Sequence, residues 1–301
     1  MTLARLSSVV VLALASFANA APSLLARQAF TTLSTAEVAA YKPYSYYAAA
    51  GYCAPAATLA WTCGINCAAN PTFHPVASGG DGNAVQYWYV GVDTALDTVI
   101  VGHQGTDSKQ ILSIFTDINF GQKTLNRTLF PGFDSSIKVH SGFANEQAMT
   151  ATLVLAAVKS AIATYGVKKV TMVGHSLGAA LSLLDSVYLP LHLTGVTFRT
   201  VLYGLPRVGN QAFADLVSAA GTLTHVNNKK DPIPTLPGLI LGFHHPTGEV
   251  HIQDDTEAWV ACPGQDNNNA LCTFGKVGNI LGGDFNDHNG PYDGVMMNCH
   301  D

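Results

Sequence analysis

Residues 170–181, with the sequence VTMVGHSLGAAL, constrain the fold of this 301-residue chain more than any other segment. A short apolar run rich in β-branched residues enters a Gly-x-Ser-x-Gly turn, and a run rich in Ala and Leu leaves it. In such a strand-turn-helix context the serine backbone is strained and its hydroxyl is presented as a nucleophile. Gly174 and Gly178 flank Ser176 because the turn is too tight for side chains. The segment therefore predicts an α/β fold with a reactive serine.

The remaining periodicity agrees with an α/β fold. Short apolar or alternating runs bounded by Gly, Asp or Pro predict strands over residues 85–92, 98–102, 170–173, 200–204, 222–227 and 249–253. Helical spacing predicts helices over 143–165 and 178–189, which stop at Gly166 and Pro190. This alternation predicts a mostly parallel central sheet with helices on both faces, and its chemistry belongs beyond the carboxyl ends of the strands. Ser176 follows such an end.

The N-terminus predicts export. Arg5 precedes an apolar run over residues 9–15, and Ala18-Asn19-Ala20 is a small-x-small cleavage site, so residues 1–20 are expected to be a secretory signal peptide rather than a membrane span. Residues 21–301 are expected to form one domain in the extracellular space. The sequence leaves open whether residues 21–27 are a trimmed pro-segment.

Charge argues against nucleic acid as a partner. The net charge is −5, and the basic residues form no run longer than the doublets Lys168-Lys169 and Lys229-Lys230. Asn126 opens the sequon Asn126-Arg127-Thr128 and is therefore a predicted surface glycosylation site. The oligomeric state is not determined by the sequence.

Six cysteines in an exported chain predict three disulfides. Spacing favours local Cys63–Cys67 and Cys262–Cys272 bridges, and the remaining Cys53–Cys299 bridge would tie the two ends of the domain together. A metal site at Cys63 and Cys67 is disfavoured because no second pair of ligands follows at a suitable spacing.

A serine hydroxyl needs a histidine base held by a carboxylate, and in this fold the chain order is Ser, Asp or Glu, then His. Asp231 is the best acid because it follows a predicted strand. Asp215 lies inside an apparent helix, and Asp254, Asp255 and Asp266 lie in stretches that look exposed. Spacing alone leaves two alternatives for the base: His288 in a late Gly/Asn-rich loop, and the His244/His245 pair.

Four ordered motifs resemble those of the fungal class 3 lipases. They are VHSGF at 139–143, GHSLG at 174–178, YGLPRVGN at 203–210 and DPIPTLP at 231–237. The family comprises α/β-hydrolases that include triacylglycerol lipases and some feruloyl esterases. The resemblance implies Ser176 as nucleophile, Asp231 as acid and, through the Asp287-His288 pair near the C-terminus, His288 as base. It also implies the three disulfides named above and no cofactor.

The oxyanion of the reaction needs fixed donors. One is expected to be the backbone N–H of Leu177, the residue after the nucleophile. The resemblance implies Thr106 as the second. The chain departs from the family at His103 and Gln104, where an aromatic residue and an arginine are common. His103, like His140 and His175, is expected to be structural.

Ile111, Ile114, Phe115 and Ile118 recur at helical spacing and predict a short helix with one apolar stripe. A core-facing helix is the general explanation, but the resemblance places a lid here. The sequence therefore predicts a secreted lipase that acts at a lipid-water interface. The alternative is a feruloyl esterase that acts on plant cell-wall esters, and a non-catalytic binding protein is disfavoured because no triad residue is missing.

Overall fold

A computed structural model describes residues 29–106 and 121–299. The predicted signal peptide over residues 1–20, the segment 21–27 and the predicted lid residues Ile111, Ile114, Phe115 and Ile118 lie outside the described residues.

The described residues build one nine-stranded sheet. Its strands are β1 Thr31–Thr32, β2 Phe73–Gly79, β3 Trp88–Asp93, β4 Thr98–His103, β7 Lys169–His175, β8 Thr197–Tyr203, β9 Leu223–Asn228, β10 Glu249–Ile252 and β11 Trp259–Ala261. They lie side by side in the order β1-β11-β10-β9-β8-β7-β4-β3-β2. The five central strands, from β4 to β10, pair in parallel as the alternating pattern predicts. The flanks add antiparallel pairs, so the sheet as a whole is mixed. Strands β5 Gln122–Thr124 and β6 Lys138–His140 form a separate ribbon.

Eight α-helices are described in residues 29–106 and 121–299. They are α1 Thr35–Ala39, α2 Lys42–Ala50, α3 Pro55–Ala60, α4 Gly64–Ala68, α5 Ser141–Tyr165, α6 Leu177–Tyr188, α7 Gln211–Ala220 and α8 Thr273–Val277. The predicted long helix ends as expected at Gly166, whose φ of 71° is the left-handed conformation that favours glycine. The predicted strand over 85–92 begins only at Trp88, because the Val85 carbonyl accepts hydrogen bonds from Asp81 and Gly82 in a turn.

The sheet has an apolar core on each face, because alternate residues of a strand point to opposite sides. Val99, Val101 and Met172 pack in the core shared with α5 and α6. Ile100 and Val173 pack in the other core, with α2 and its neighbours. The central strands are therefore fixed from both faces, and their carboxyl ends form a rigid platform.

Among the described residues, only α5 is long and apolar enough to cross a membrane by length and composition. One set of its side chains is buried in the protein core: Phe143, Gln147, Thr150, Ala151, Val154, Ala157, Val158 and Ala161. The helix packs against α6 and the sheet. Its apolar composition is that of a core helix.

Three disulfides join Cys53 to Cys299, Cys63 to Cys67 and Cys262 to Cys272. These are the pairs that spacing and the family resemblance predict. Asn126 is exposed, and its side-chain oxygen accepts a hydrogen bond from Thr128 N. The glycan at Asn126 stays a prediction.

Candidate active site

Ser176 lies between the end of β7 and the start of α6, with φ 58° and ψ −126°. This left-handed backbone is unfavourable for a side-chain-bearing residue, and the flanking glycines make it possible. A Cβ at Gly174 would lie 2.4 Å from the Gly178 carbonyl oxygen, and a Cβ at Gly178 would lie 2.3 Å from the His103 carbonyl oxygen. The tight turn predicted around Ser176 is therefore present, and it is possible because residues 174 and 178 have no side chains.

Asp231 and His288 form a buried pair, although 57 residues separate them in the chain. The Asp231 Oδ2 atom lies 2.7 Å from His288 Nδ1. Since a carboxylate accepts hydrogen bonds, Nδ1–H donates and Nε2 is left as the acceptor. The other carboxylate oxygen, Oδ1, accepts from Ile233 N at 2.9 Å. Both Asp231 oxygens are thus occupied, and the imidazole has a defined orientation.

Ser176 and His288 both lie beside the carboxyl end of β8. Ser176 N donates to the Tyr203 carbonyl at 3.0 Å. A Cβ at the next residue, Gly204, would lie only 2.9 Å from His288 Cε1, so the imidazole occupies the space that a side chain would fill. Among the described residues, Ser176 Oγ and His288 Nε2 are buried and have no hydrogen-bond partner. A serine oxygen and an acceptor nitrogen are therefore both without a hydrogen-bond partner beside this end of the sheet.

His175 holds the backbone of His288. Its Nε2–H donates to the His288 carbonyl at 2.8 Å, and its Nδ1 accepts from the Tyr52 hydroxyl at 2.5 Å. The Tyr292 hydroxyl donates to the same His288 carbonyl at 3.1 Å. Burial holds the pKa of His175 well below its usual value, so this ring is neutral, with one donor and one acceptor nitrogen.

Comparison with known proteins agrees with this geometry. The sequence profile of the family Lipase (class 3) matches residues 100–240. The secreted mono- and diacylglycerol lipase MDL2 of Malassezia globosa is 32% identical over 216 residues, which cover 71% of this chain and 69% of that protein. The chain belongs to the class 3 lipase family.

Two further relatives are similar over a shorter part of their length. The secreted mono- and diacylglycerol lipase MDL4 of Malassezia globosa is 32% identical over 197 residues, which cover 64% of this chain and 63% of that protein. The secreted mono- and diacylglycerol lipase 1 of Fusarium solani is 32% identical over 198 residues, or 63% of this chain and 56% of that protein. The chain thus spans about 56–69% of the length of these relatives.

Solved structures confirm the α/β-hydrolase fold. The triacylglyceride lipase of Rhizomucor miehei superposes with a TM-score of 0.77 at 25% identity and covers 89% of this chain and 98% of its own. The LIP2 lipase of Yarrowia lipolytica gives the same TM-score of 0.77 at 22% identity, with 90% and 99% covered.

The departures of this class 3 lipase from its family pattern have structural explanations. Gln104 N donates to the Tyr87 carbonyl, and Gln104 Oε1 accepts from Tyr87 N, both at 2.8 Å. Gln104 thus extends the pairing of β3 with β4 beyond the last strand residue. Thr106 follows at the end of this loop, and its buried hydroxyl has no partner among the described residues.

In this class 3 lipase Asp231 pairs with His288, not with the alternative His244/His245 pair. His245 Nε2 lies 2.7 Å from the Pro234 carbonyl, and His244 Nδ1 lies 3.5 Å from Asp266. The expectation that Asp266 is exposed is wrong. Its side chain is 9% exposed and pairs with Arg207 at 2.8 Å, because the buried guanidinium needs a carboxylate partner.

Arg207 in turn fixes the loop that carries Asp231. It donates to the carbonyls of Thr235 and Pro237, a few residues after the acid. Arg207, Tyr52 and Tyr292 were not predicted as site residues, because none of them acts on the reacting atoms. Arg207 and Tyr292 bind backbone carbonyls, and Tyr52 binds the His175 ring. Of these three residues, only Arg207 lies in a motif that the sequence analysis identified, the segment 203–210.

Residues 29–106 and 121–299 contain one group with the spacing of metal ligands, formed by Glu249, Cys262 and Cys272. Both cysteines are bonded to each other, and a Glu249 oxygen accepts from Thr273 N. No thiolate is available, so this group does not fit a metal ion.

Proposed function

We propose that this class 3 lipase is a secreted carboxylic-ester hydrolase that acts on acylglycerols. The observation that carries the proposal is the buried Asp231–His288 pair beside the strained Ser176 turn. The names of its Malassezia globosa and Fusarium solani relatives, together with the predicted signal peptide, support export. Those names also favour lipid esters over the hydroxycinnamate esters of the alternative. They add mono- and diacylglycerols to the triacylglycerols expected from the sequence.

In the proposed reaction, Ser176 Oγ attacks the ester carbonyl carbon while His288 Nε2 takes the serine proton. Asp231 orients the imidazole and stabilises the imidazolium. The tetrahedral oxyanion accepts hydrogen bonds from the N–H of Leu177 and from Thr106. His288 then protonates the leaving alcohol, and a water molecule releases the fatty acid from the acyl-enzyme.

The proposed lid follows Thr106 directly in the chain, and its apolar positions are Ile111, Ile114, Phe115 and Ile118. Two further apolar side chains project from the loops that carry Asp231 and His288. Ile240 is 97% exposed and Leu281 is 92% exposed. Exposed apolar side chains on the segments that carry the proposed catalytic residues favour a lipid substrate over a soluble one.

The decisive experiment is a substrate panel on the wild-type protein and the Ser176→Ala variant. The panel contains mono-, di- and triacylglycerols and methyl ferulate. We expect acylglycerols to be preferred, and the variant to lose at least about 10³-fold in kcat with every ester. A fluorophosphonate probe should label Ser176 in the wild type only. Retained activity in the variant would refute the mechanism, and a preference for methyl ferulate would favour the esterase.

The same assay tests the lid when substrate concentration crosses the solubility limit. We expect the rate to rise sharply once an interface forms. A smooth hyperbolic curve through that limit would contradict an apolar lid.

A further inference from the structure

His103, Asp185 and Gln147 form a buried polar cluster behind the nucleophile, and the proposed mechanism does not use it. His103 Nε2 lies 2.8 Å from Asp185 Oδ2, and Gln147 Nε2 donates to Asp185 Oδ1 at 2.8 Å. The His103 and Asp185 side chains are fully buried. The three residues come from three elements, since His103 ends β4, Asp185 lies in α6 and Gln147 lies in α5.

Stability is a poor explanation for this cluster. Removing a carboxylate from water is unfavourable, and a well-packed apolar pair of similar volume is often at least as stable as a buried ion pair. Asp185 stands among apolar neighbours in α6, with Leu183 and Leu184 before it and Val187 after it. The directional hydrogen bonds of the cluster, which apolar side chains lack, are therefore the feature to explain.

His103 of this cluster immediately precedes the segment 104–106, which we call the oxyanion loop. The His103 carbonyl oxygen is 2.3 Å from the position of a Cβ at Gly178, in the first turn of α6. A Cβ at Gly105 would lie 2.6 Å from the His175 carbonyl oxygen at the end of β7. The oxyanion loop is thus packed against the residues on both sides of Ser176.

We propose that the His103–Asp185–Gln147 cluster positions the oxyanion loop for catalysis. Asp185 lies nine residues after Ser176, on the helix that begins at Leu177, so the His103–Asp185 bond fixes the end of β4 against the helix that presents the nucleophile. Gln147 fixes the other carboxylate oxygen from α5. The cluster thereby sets the distance between Thr106 and the N–H of Leu177, the two proposed oxyanion donors. This inference rests on the proposed function.

The test compares two substitutions at one position. His103→Gln keeps an N–H donor near the place of Nε2, whereas His103→Phe restores the aromatic type that is common in the family and removes the donor. On a soluble short-chain ester we expect His103→Phe to lower kcat about tenfold or more with little change in KM, because misplacement by about 1 Å can cost that much. His103→Gln should stay within about threefold of the wild type. If His103→Phe does not fold, Asp185→Asn tests the same bond.

Thr98→Val is the matched control for stability. Thr98 lies at the opposite end of β4, and its hydroxyl makes a buried 2.8 Å hydrogen bond to Thr171 of β7. The control should lower Tm and leave kcat unchanged. His103→Phe should also lose much less activity in a Thr106→Ala background than in the wild type, because both changes act on one donor.

Two results would overturn the inference: a kcat for His103→Phe as unaffected as that for Thr98→Val, or full additivity with Thr106→Ala. Either result would leave the proposed function intact if Ser176 were still labelled and Ser176→Ala were still inactive. Failure of the Ser176 experiments would instead remove the proposed function itself.

Discussion

At the scale of single residues, the two carboxylate oxygens of Asp231 have different partners and different roles. One of its oxygens accepts from a backbone N–H, and the other accepts from His288 Nδ1. The backbone bond holds the carboxylate in place, so that the second oxygen can orient the imidazole. The proton state of His288 Nε2 therefore depends on the chemistry of residue 231 rather than on its size.

The Asp231→Asn change tests this dependence. The amide keeps the volume and the bond to Ile233 N but presents an NH₂ group to His288 Nδ1, which forces the imidazole proton onto Nε2. By analogy with the same change in a serine protease triad, kcat should fall about 10⁴-fold. Circular dichroism and Tm serve as the folding controls. A loss of less than about tenfold would contradict the assigned role.

A second consequence at the residue scale concerns acid stability. The rings of His225 and His245 stack with centroids 5.0 Å apart, and burial lowers the pKa of each from 6.5 to about 4. Between these pH values the unfolded chain binds protons that the folded protein does not. The contribution of these two neutral histidines to the free energy of unfolding should therefore be fully present above pH 6.5. It should fall as pH decreases towards 4, by at most about 1.4 kcal/mol per pH unit for each histidine.

Urea unfolding of the wild type and of His225→Leu at several pH values between 4 and 7 measures this slope. The variant should show a shallower loss of stability on acidification, because one histidine of this stacked pair is no longer present to titrate. Equal slopes of unfolding free energy against pH for the two proteins would show that His225 does not contribute to the loss of stability in acid.

At the scale of helices and strands, the close contact of α6 with the end of β4 determines how the nucleophile and the oxyanion loop are placed relative to each other. Helix α6 begins immediately after Ser176, and its first turn touches the backbone that leads to Thr106. Such proximity is possible only because residue 178 has no side chain. The nucleophile and the oxyanion loop are therefore one rigid unit, although they belong to different elements.

Gly178→Ala tests this contact. Helix propensity favours alanine by about 1 kcal/mol, but its Cβ would lie 2.3 Å from the His103 carbonyl oxygen. We expect the steric clash to dominate, to lower Tm and to reduce kcat by at least about tenfold. Gly221→Ala is the control, since Gly221 ends α7 in open space with φ 63°. It should cost about 1 kcal/mol of stability and no activity.

For the whole molecule, the two ends of the domain are joined around the sheet. The Cys53–Cys299 disulfide spans 246 residues, and Cys53 follows Tyr52, which donates to His175. The N-terminal helices and the C-terminal segment with His288 and Tyr292 therefore lie on the same side of the nucleophile strand. The disulfide that joins the two ends of the domain therefore also holds together the segments that carry Tyr52 and His288.

Replacing both Cys53 and Cys299 by serine should destabilise the protein more than the same change at Cys63 and Cys67. The chain-entropy model gives about 5 kcal/mol for the long loop and about 2 kcal/mol for the short one, which spans only 4 residues. Denaturant unfolding under non-reducing conditions measures both losses. The reverse order would show that native-state packing, rather than loop length, governs these bridges.

Features that depend on local backbone requirements could be predicted from the amino-acid sequence. The turn at Ser176, the end of α5 at Gly166 and the parallel centre of the sheet follow from glycine placement and apolar spacing. The disulfide pairs also followed from spacing and resemblance, since two of the three bridges are local. The strand β2 was not predicted, and the start of β3 was placed too early, because a turn at Val85 competes with the ladder.

Contacts between side chains that are distant in sequence became visible only in the folded protein. Spacing could not separate His288 from His244 and His245, and the structure pairs His288 with Asp231. Neither Tyr52 nor Asp185 lies in a recognisable motif, yet the first bonds to His175 and the second to His103. The physical reason is that a buried polar group must find a partner wherever the packing brings one, and packing is not encoded within a few neighbouring residues.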